Sequence, residues 1–402
     1  MLNQLNLTIA EQDIRAKIAQ YGRITFAEFM ELALYHPTDG YYTNGGAIGA
    51  AGDYYTSPAA HPVFGAMIAI QLQQMWEALG HPERFYVIET GSGTGRLAAD
   101  LMNYLPSLES DFVETLRYVT IERSFHSPPH ALAIDHIFAL GIPINDIVGC
   151  LISNELIDAF PVHRFLIDEG KPRELYVTEN GGNIVEEPGE PSTPALKARL
   201  DRLSLPLPNG FRGEVNLGIS PWIQEVSKAL MRGFILTIDY GHLEYELYSS
   251  ERDRGTMQTF YNHVQSNCLY KRIGHQDITC QVDFSSVIYA GEQFQIKSLD
   301  LITQSEYLQK LGIGMWIREL RKTSLSQSDL YSNLMAMRQL IEPAGLGNFK
   351  VLIQEKNTGI DSLQQILPDL DTIYLGSPPL LSLEHVPLLE GRYPHTVWKP
   401  EN

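Results

Sequence analysis

"VIETGSGTGRLAADL", residues 87–101, passes from an apolar run through three glycines into helix-forming residues. A strand that enters a glycine-rich turn and opens a helix suits a nucleotide-bearing ligand. Its glycines let the backbone approach closely, and the first N–H groups of the helix point outward. Gly91, Gly93 and Gly95 are spaced GxGxG, and Arg96 stands where the dinucleotide fingerprint GxGxxG carries its last glycine. Helix and strand meet poorly there around a pyrophosphate, which weighs against hydride transfer.

Outward from this turn, short apolar and β-branched runs recur at 85–90, 116–122, 149–155 and 233–240, and again at 294–303 and 349–356. They read as buried strands. Helical spacing in "GRLAADLMNYL", "PWIQEVSKALMRG" and residues 305–321 separates them, predicting a doubly wound α/β sheet. Residues 162–187 break the alternation, with turn signals at "EGKP" and "NGG" that predict an antiparallel hairpin or meander. With helical residues from Pro194 to Leu203, this gives an inserted antiparallel β/helical lobe over 162–215. Ahead of the sheet, Ile24 to Leu34 predict a short helix ending before Pro37, and a buried helix is expected from Val63. The tract 40–58, crowded with Gly and Tyr, predicts a tight loop whose aromatic faces cover a ligand. The expected organisation is an N-terminal extension over 1–84, a core over 85–161 and 216–356, the lobe, and a weakly periodic tail over 357–402.

The chain of 402 residues carries 30 Lys and Arg against 48 Asp and Glu, a net charge of −18, without a basic run of five. A phosphate-tracking nucleic-acid surface is therefore not expected, and an acidic surface suits a basic partner such as an arginine-bearing protein segment. Cys150, Cys268 and Cys280 form no CxxC pair, so reduced thiols and no metal site are expected. The N-terminus lacks secretory or transit character and no stretch suits a bilayer, so the expectation is a bacterial cytoplasmic protein without membrane insertion. The oligomeric state stays open, with a homodimer among the options.

Glu89, just before the glycines, and Glu122, ending the next strand, form a pattern that resembles class I S-adenosylmethionine (SAM) methyltransferases. SAM carries ribose hydroxyls, an amino acid head and a sulfonium but no phosphate, so carboxylates are welcome around it. The resemblance implies Glu122 on the ribose and Glu89 toward the aminopropyl end. Ligands of open α/β sheets lie beyond the strand carboxyl ends, and the next such end, "ISNELIDAFPVHRF" at 152–165, delivers Asn154, Glu155 and Asp158 there. Glu155 and Asp158, three apart, are expected on one face of a helical turn ended by Pro161. A guanidinium is protonated, delocalised and a poor nucleophile. Two carboxylates forking onto it would fix its plane and accept a proton as the new bond forms. These are the candidate catalytic residues. Asp239, Tyr240 and His242, in "IDYGHLEYE" at 238–246, are expected on the substrate rim, and the loops 254–263 and 277–286 either cover the site or pack.

"GRITFAEFMELALYHPTDGYY", "GDYYTSP", "VIETGSGTG", "SNELIDAFPVHRF", "LTIDYGH", "RGTMQTFYNH", "DITCQVDFS" and "YLQKLGI" stand in the order of the MidA-type methyltransferases, which the chain resembles over roughly 20 to 356. That family includes the mitochondrial arginine methyltransferase that helps assemble respiratory complex I. The resemblance implies a Rossmann-like SAM domain and methylation of a protein arginine, such as one in a complex I subunit. It also implies that Gly52, Asp53, Thr56, Ser57 and Pro58 form a loop on the cofactor side. The chain departs from the family at Ala59, Ala60 and His61, where an acidic residue is common, and at Leu156 and Ile157, where an aromatic pair is usual. A changed acceptor, a small-molecule substrate or a SAM-binding assembly factor without turnover are the alternatives.

Overall fold

A computed structural model describes residues 7–43, 56–123, 134–203, 206–261, 264–373 and 375–385. Seven strands form the central sheet: β1 (Phe85–Thr90), β2 (Leu116–Glu122), β3 (Asp135–Phe138), β4 (Ile147–Asn154), β5 (Leu230–Asp239), β6 (Lys297–Thr303) and β7 (Lys350–Lys356). Their order across the sheet is β6-β7-β5-β4-β1-β2-β3. Only β7 runs against the rest, since it pairs antiparallel with both β5 and β6 while the other pairings are parallel. The chain thus has the expected α/β fold. All the apolar runs but the one over 294–303, which forms the edge strand β6, are inner strands, because both faces of such a sheet are covered: Val87, Cys150, Ile152, Phe234 and Leu236 lie in one core, and Ile88, Leu151 and Ile235 in the other. β1 and β4 lie at the middle of the order, and their C-terminal ends, Thr90 and Asn154, open side by side.

A second, five-stranded antiparallel sheet comprises His163–Asp168, Lys171–Asn180, Asn183–Gly189 and Arg212–Val215, with Ile24–Thr25 from the N-terminal extension. Ile24 and Thr25 pair with Val177 and Tyr176, so the extension is stitched to the inserted segment. Thr25 also caps the helix Phe26–Tyr35 through a capping box with Glu28, which starts that helix two residues later than the apolar spacing suggests.

Three other elements differ from expectation. β3 carries no strand signal, because three of its four edge residues are exposed and only Ile137 is half-buried. The helix expected over 305–321 is two helices, Gln304–Lys310 and Ile313–Leu320, broken at Gly312 with φ +102°. Over its described residues the weakly periodic tail is packed: Leu363, Ile366 and Leu375 are buried in the main core. Backbone carbonyls in the tail accept from Gln71 Nε2 (2.6 Å, Ile366), Tyr104 Oη (2.6 Å, Leu375) and Trp316 Nε1 (3.2 Å, Gly376). Irregular backbone satisfied by core side chains leaves no periodic signal.

Candidate functional site

A pocket of about 470 Å³ opens at the C-terminal ends of β1, β2 and β4. Its floor is the glycine turn. Gly91, Gly93 and Gly95 take φ of +73°, +55° and +70°, so the chain reverses in the left-handed region before the helix Arg96–Tyr104 begins. Gly91 donates to Ile121 O at 2.9 Å, tying the turn to β2. At the tip of β2, Glu122 accepts the N–H of Gly93 and the Ser92 hydroxyl (3.3 Å), so this carboxylate both pins the turn and faces the pocket. Glu89 lines the pocket from beneath, almost wholly buried, accepting from Tyr118 Oη at 2.8 Å. Burial raises its pKa to about 7, against the lowering effect of the Tyr118 bond. Two carboxylates beside a glycine turn suit a ligand with hydroxyls and a cationic amino group, and would repel a phosphate.

β4 ends in the second half of the site. Asn154, Glu155 and Leu156 line the pocket, with Asn154 Nδ2 donating to Glu155 Oε1 at 3.0 Å. Glu155 has φ +51°, a conformation costing roughly 1–2 kcal/mol for a residue with a Cβ. Asp158 lies inside a short 3-10 turn, Ile157–Ala159. The expected shared helical face is therefore corrected: Glu155 precedes the turn with the opposite backbone hand and reaches the pocket, whereas Asp158 is buried and outside its lining. The two remain electrostatic neighbours. Burial, then Asp158, raises Glu155 to about 8, and burial raises Asp158 to about 7 against the nearby Tyr240 hydroxyl.

The tyrosine-rich tract reaches the pocket through Tyr42, residues 44–55 of it lying outside the described residues; the other walls are not among the residues singled out above. Tyr35 and Tyr42 stack at 5.5 Å and 23°. Tyr35 donates to Ala159 O (2.9 Å), Tyr42 donates to Asp277 Oδ1 (2.9 Å), and the Arg123 guanidinium covers the Tyr35 ring at 4.2 Å. Tyr42 belongs to the glycine- and tyrosine-rich tract, and Asp277 to the segment 277–286, which is not a loop but the strands Asp277–Thr279 and Val282–Asp283 and the start of the helix Phe284–Gln293. Leu140, Ile142, Phe160 and Trp222 add an apolar wall, Phe160 meeting Trp222 edge-on at 6.2 Å.

Among the predicted cofactor-side residues, Thr56 and Pro58 line the pocket. Ser57 is fully buried, its hydroxyl donating to Gln304 Oε1 at 2.9 Å and its backbone N–H bonding Glu155. Asp53 and Gly52 lie outside the described residues. The departures from the family have local partners: His61 Nε2 lies 3.1 Å from Asn333 Oδ1, and Leu156 packs against Gly91.

The rim residues are placed otherwise than expected, and none lines the pocket. Asp239 is fully buried and accepts backbone N–H groups, because the last residue of an inner strand can point inward as readily as outward. Tyr240 packs on Phe349 at 5.6 Å, and His242 is held between Glu246 (3.2 Å) and Arg252 (2.8 Å). Among the described residues, no cluster of His, Cys, Asp and Glu could hold a metal ion, and no helix is long and apolar enough to cross a membrane.

Residues 67–302, more than half the chain, match a family model described as S-adenosyl-L-methionine-dependent methyltransferase. The Drosophila melanogaster protein arginine methyltransferase NDUFAF7 homolog, mitochondrial, is 26% identical over 382 residues, 86% of this chain and 84% of its own length. The Homo sapiens mitochondrial protein arginine methyltransferase NDUFAF7 is 26% identical over 379 residues, 84% of this chain and 81% of its own. A crystal structure from Burkholderia thailandensis, bound to S-adenosyl-homocysteine, matches with TM-score 0.76 and 26% identity, covering 90% of this chain and 96% of that one. The expected bacterial cytoplasmic location is overturned by these curated relatives, which are mitochondrial proteins.

Proposed function

The chain belongs to this family of SAM-dependent methyltransferases, and from that premise we propose that it methylates an arginine side chain of a protein substrate. The observation that carries the reading is the pairing, in one pocket, of cofactor-side carboxylates with the buried Glu155 and Asp158 behind it. Buried carboxylates in mutual repulsion favour an incoming cation, and a guanidinium is a planar one. The relatives named as protein arginine methyltransferases support the same acceptor. A respiratory complex I subunit is the first substrate to assay.

Glu122 and Glu89, with the glycine turn, hold the cofactor, which supplies an electrophilic methyl group on a sulfonium. Glu155 receives the acceptor guanidinium at the pocket wall, with Asn154 orienting its carboxylate. Asp158 adds negative charge from beneath. Together they localise the guanidinium charge away from the attacking nitrogen, and Glu155, with its raised pKa, takes the proton released as the N–CH₃ bond forms. Stacked Tyr35 and Tyr42 confine the acceptor to a flat group. Labelled SAM, the purified protein and complex I subunits test this, with the modified residue located by mass spectrometry. Methylarginine is expected; label confined to small molecules, or to no acceptor, overturns it.

A further inference from the structure

We infer that Asp239 is a positioning residue for methyl transfer, fixing the shape of the Glu155 turn through successive backbone amides; the inference rests on the acceptor reading above. Asp239 ends β5 and is fully buried. Its Oδ2 accepts the N–H groups of Leu156 (3.2 Å), Ile157 (3.0 Å) and Asp158 (3.3 Å), and its Oδ1 accepts that of Tyr240 (2.9 Å). The residue before it contributes the next bond, Glu155 N donating to Ile238 O at 2.8 Å. The amides of 155, 156, 157 and 158 are thus all gathered by the last two residues of one strand.

This matters because Glu155 sits at φ +51°, which a glutamate does not choose. Released from its amide partners, the turn would relax and carry the carboxylate off the pocket wall. The Asn154 bond reaches only the side chain and does not set the backbone. Asp239 lies outside the pocket lining, so it acts on the acceptor only through Glu155 and its neighbours. A carboxylate fits the role because it presents acceptors on both sides. Asparagine would turn an NH₂ toward either the three turn amides or the Tyr240 amide, losing one set of bonds.

The test is D239N, assayed on the acceptor that the wild-type protein labels, with SAM affinity measured by calorimetry as the check on folding. The expected result is a fall in acceptor kcat/KM of tenfold or more, in kcat and KM together, with the SAM dissociation constant changed by less than about threefold. A folded D239N with unchanged acceptor kcat/KM overturns the inference, as does a SAM dissociation constant raised as far as kcat/KM falls, which would signify a general structural role. If D239N does not fold, D239S, which leaves room for a water in place of the carboxylate, is read the same way. A crystal structure of the variant gives a second readout: Glu155 retaining its left-handed backbone and its aim at the pocket also overturns the inference. Wild-type label on something other than arginine sinks the acceptor reading alone, because Asp239 is judged by the ratio of variant to wild type. If the wild type labels nothing, the crystal geometry decides.

Discussion

Glu155 combines a strained backbone with a carboxyl group raised to about 8, and both follow from the place where β4 stops. Burial and the Asp158 charge disfavour ionisation, so below about pH 8 the free protein increasingly holds Glu155 protonated and unable to take a guanidinium. The expected kcat/KM for the acceptor therefore rises through pH 7–8 and levels above; an acid limb near pH 4–5 would assign the step to an ordinary exposed carboxylate. E155Q keeps the shape and removes the charge, and should lower kcat/KM by roughly 10²- to 10⁴-fold. Its SAM affinity in calorimetry should stay near wild type, and loss of that affinity would move Glu155 to the cofactor side. Asn154, Glu155 and Glu122 were legible in the sequence because polar residues closing apolar strands point to the ligand edge of an α/β sheet. Tyr42 lies in the tract 40–58 expected to cover the ligand, whereas Arg123 follows Glu122 directly but reads as an ordinary strand-end cation, and Tyr35 and Trp222 are far in sequence from the glycine turn and reach the pocket only through tertiary packing. Asp239 was visible but misassigned: a strand-end carboxylate reads alike whether it faces solvent or neighbouring amides.

At the scale of elements, the glycine turn and the acceptor turn are in contact, and Gly91 is where they meet. A Cβ added there would lie 2.7 Å from Leu156 Cδ1, on a backbone with φ +73°. G91A should therefore cost roughly 1–2 kcal/mol of backbone strain and press on the acceptor turn as well. SAM affinity is expected to fall tenfold or more, with transfer reduced further than affinity alone explains. Unchanged calorimetric binding would show that the turn is not the cofactor floor. The inner strands carrying these turns were legible because a parallel sheet covered on both faces demands unbroken apolar runs. β3 lacks that demand at the sheet edge, and the break at Gly312 is a local backbone reversal inside an otherwise helical spacing. The pairing of Ile24–Thr25 with 176–177 was illegible for a further reason: two residues have no period, and their partner lies about 150 positions away.

Across the whole molecule, stability and cofactor binding draw on the same buried acids and on the tail that closes the core. Deleting residues from Thr358 onward would expose the surface covered by Leu363, Ile366 and Leu375. At about 2 kcal/mol for each buried aliphatic side chain, the loss should reach on the order of 5 kcal/mol. A large fall in Tm, or insoluble protein, is expected; a truncated chain melting like the full one would show the tail to be dispensable. The acids set the pH dependence. Glu89, Glu155 and Asp158 are raised to about 7, 8 and 7, above their values in an unfolded chain. Between about pH 4 and 8 the native state therefore binds more protons than the unfolded state, so stability must decline as pH rises through that window. Net charge also grows more negative with pH, so the comparison that isolates the site is between variants. E155Q and E89Q should each lose less Tm than wild type between pH 5.5 and 8.5, and parallel curves would show that these groups titrate normally. SAM bears a cationic amino group that favours ionised Glu89, so its stabilising shift should be larger at pH 8 than at pH 6. That difference should shrink in E89Q and persist in E155Q, which separates the cofactor carboxylate from the acceptor carboxylate by melting curves alone.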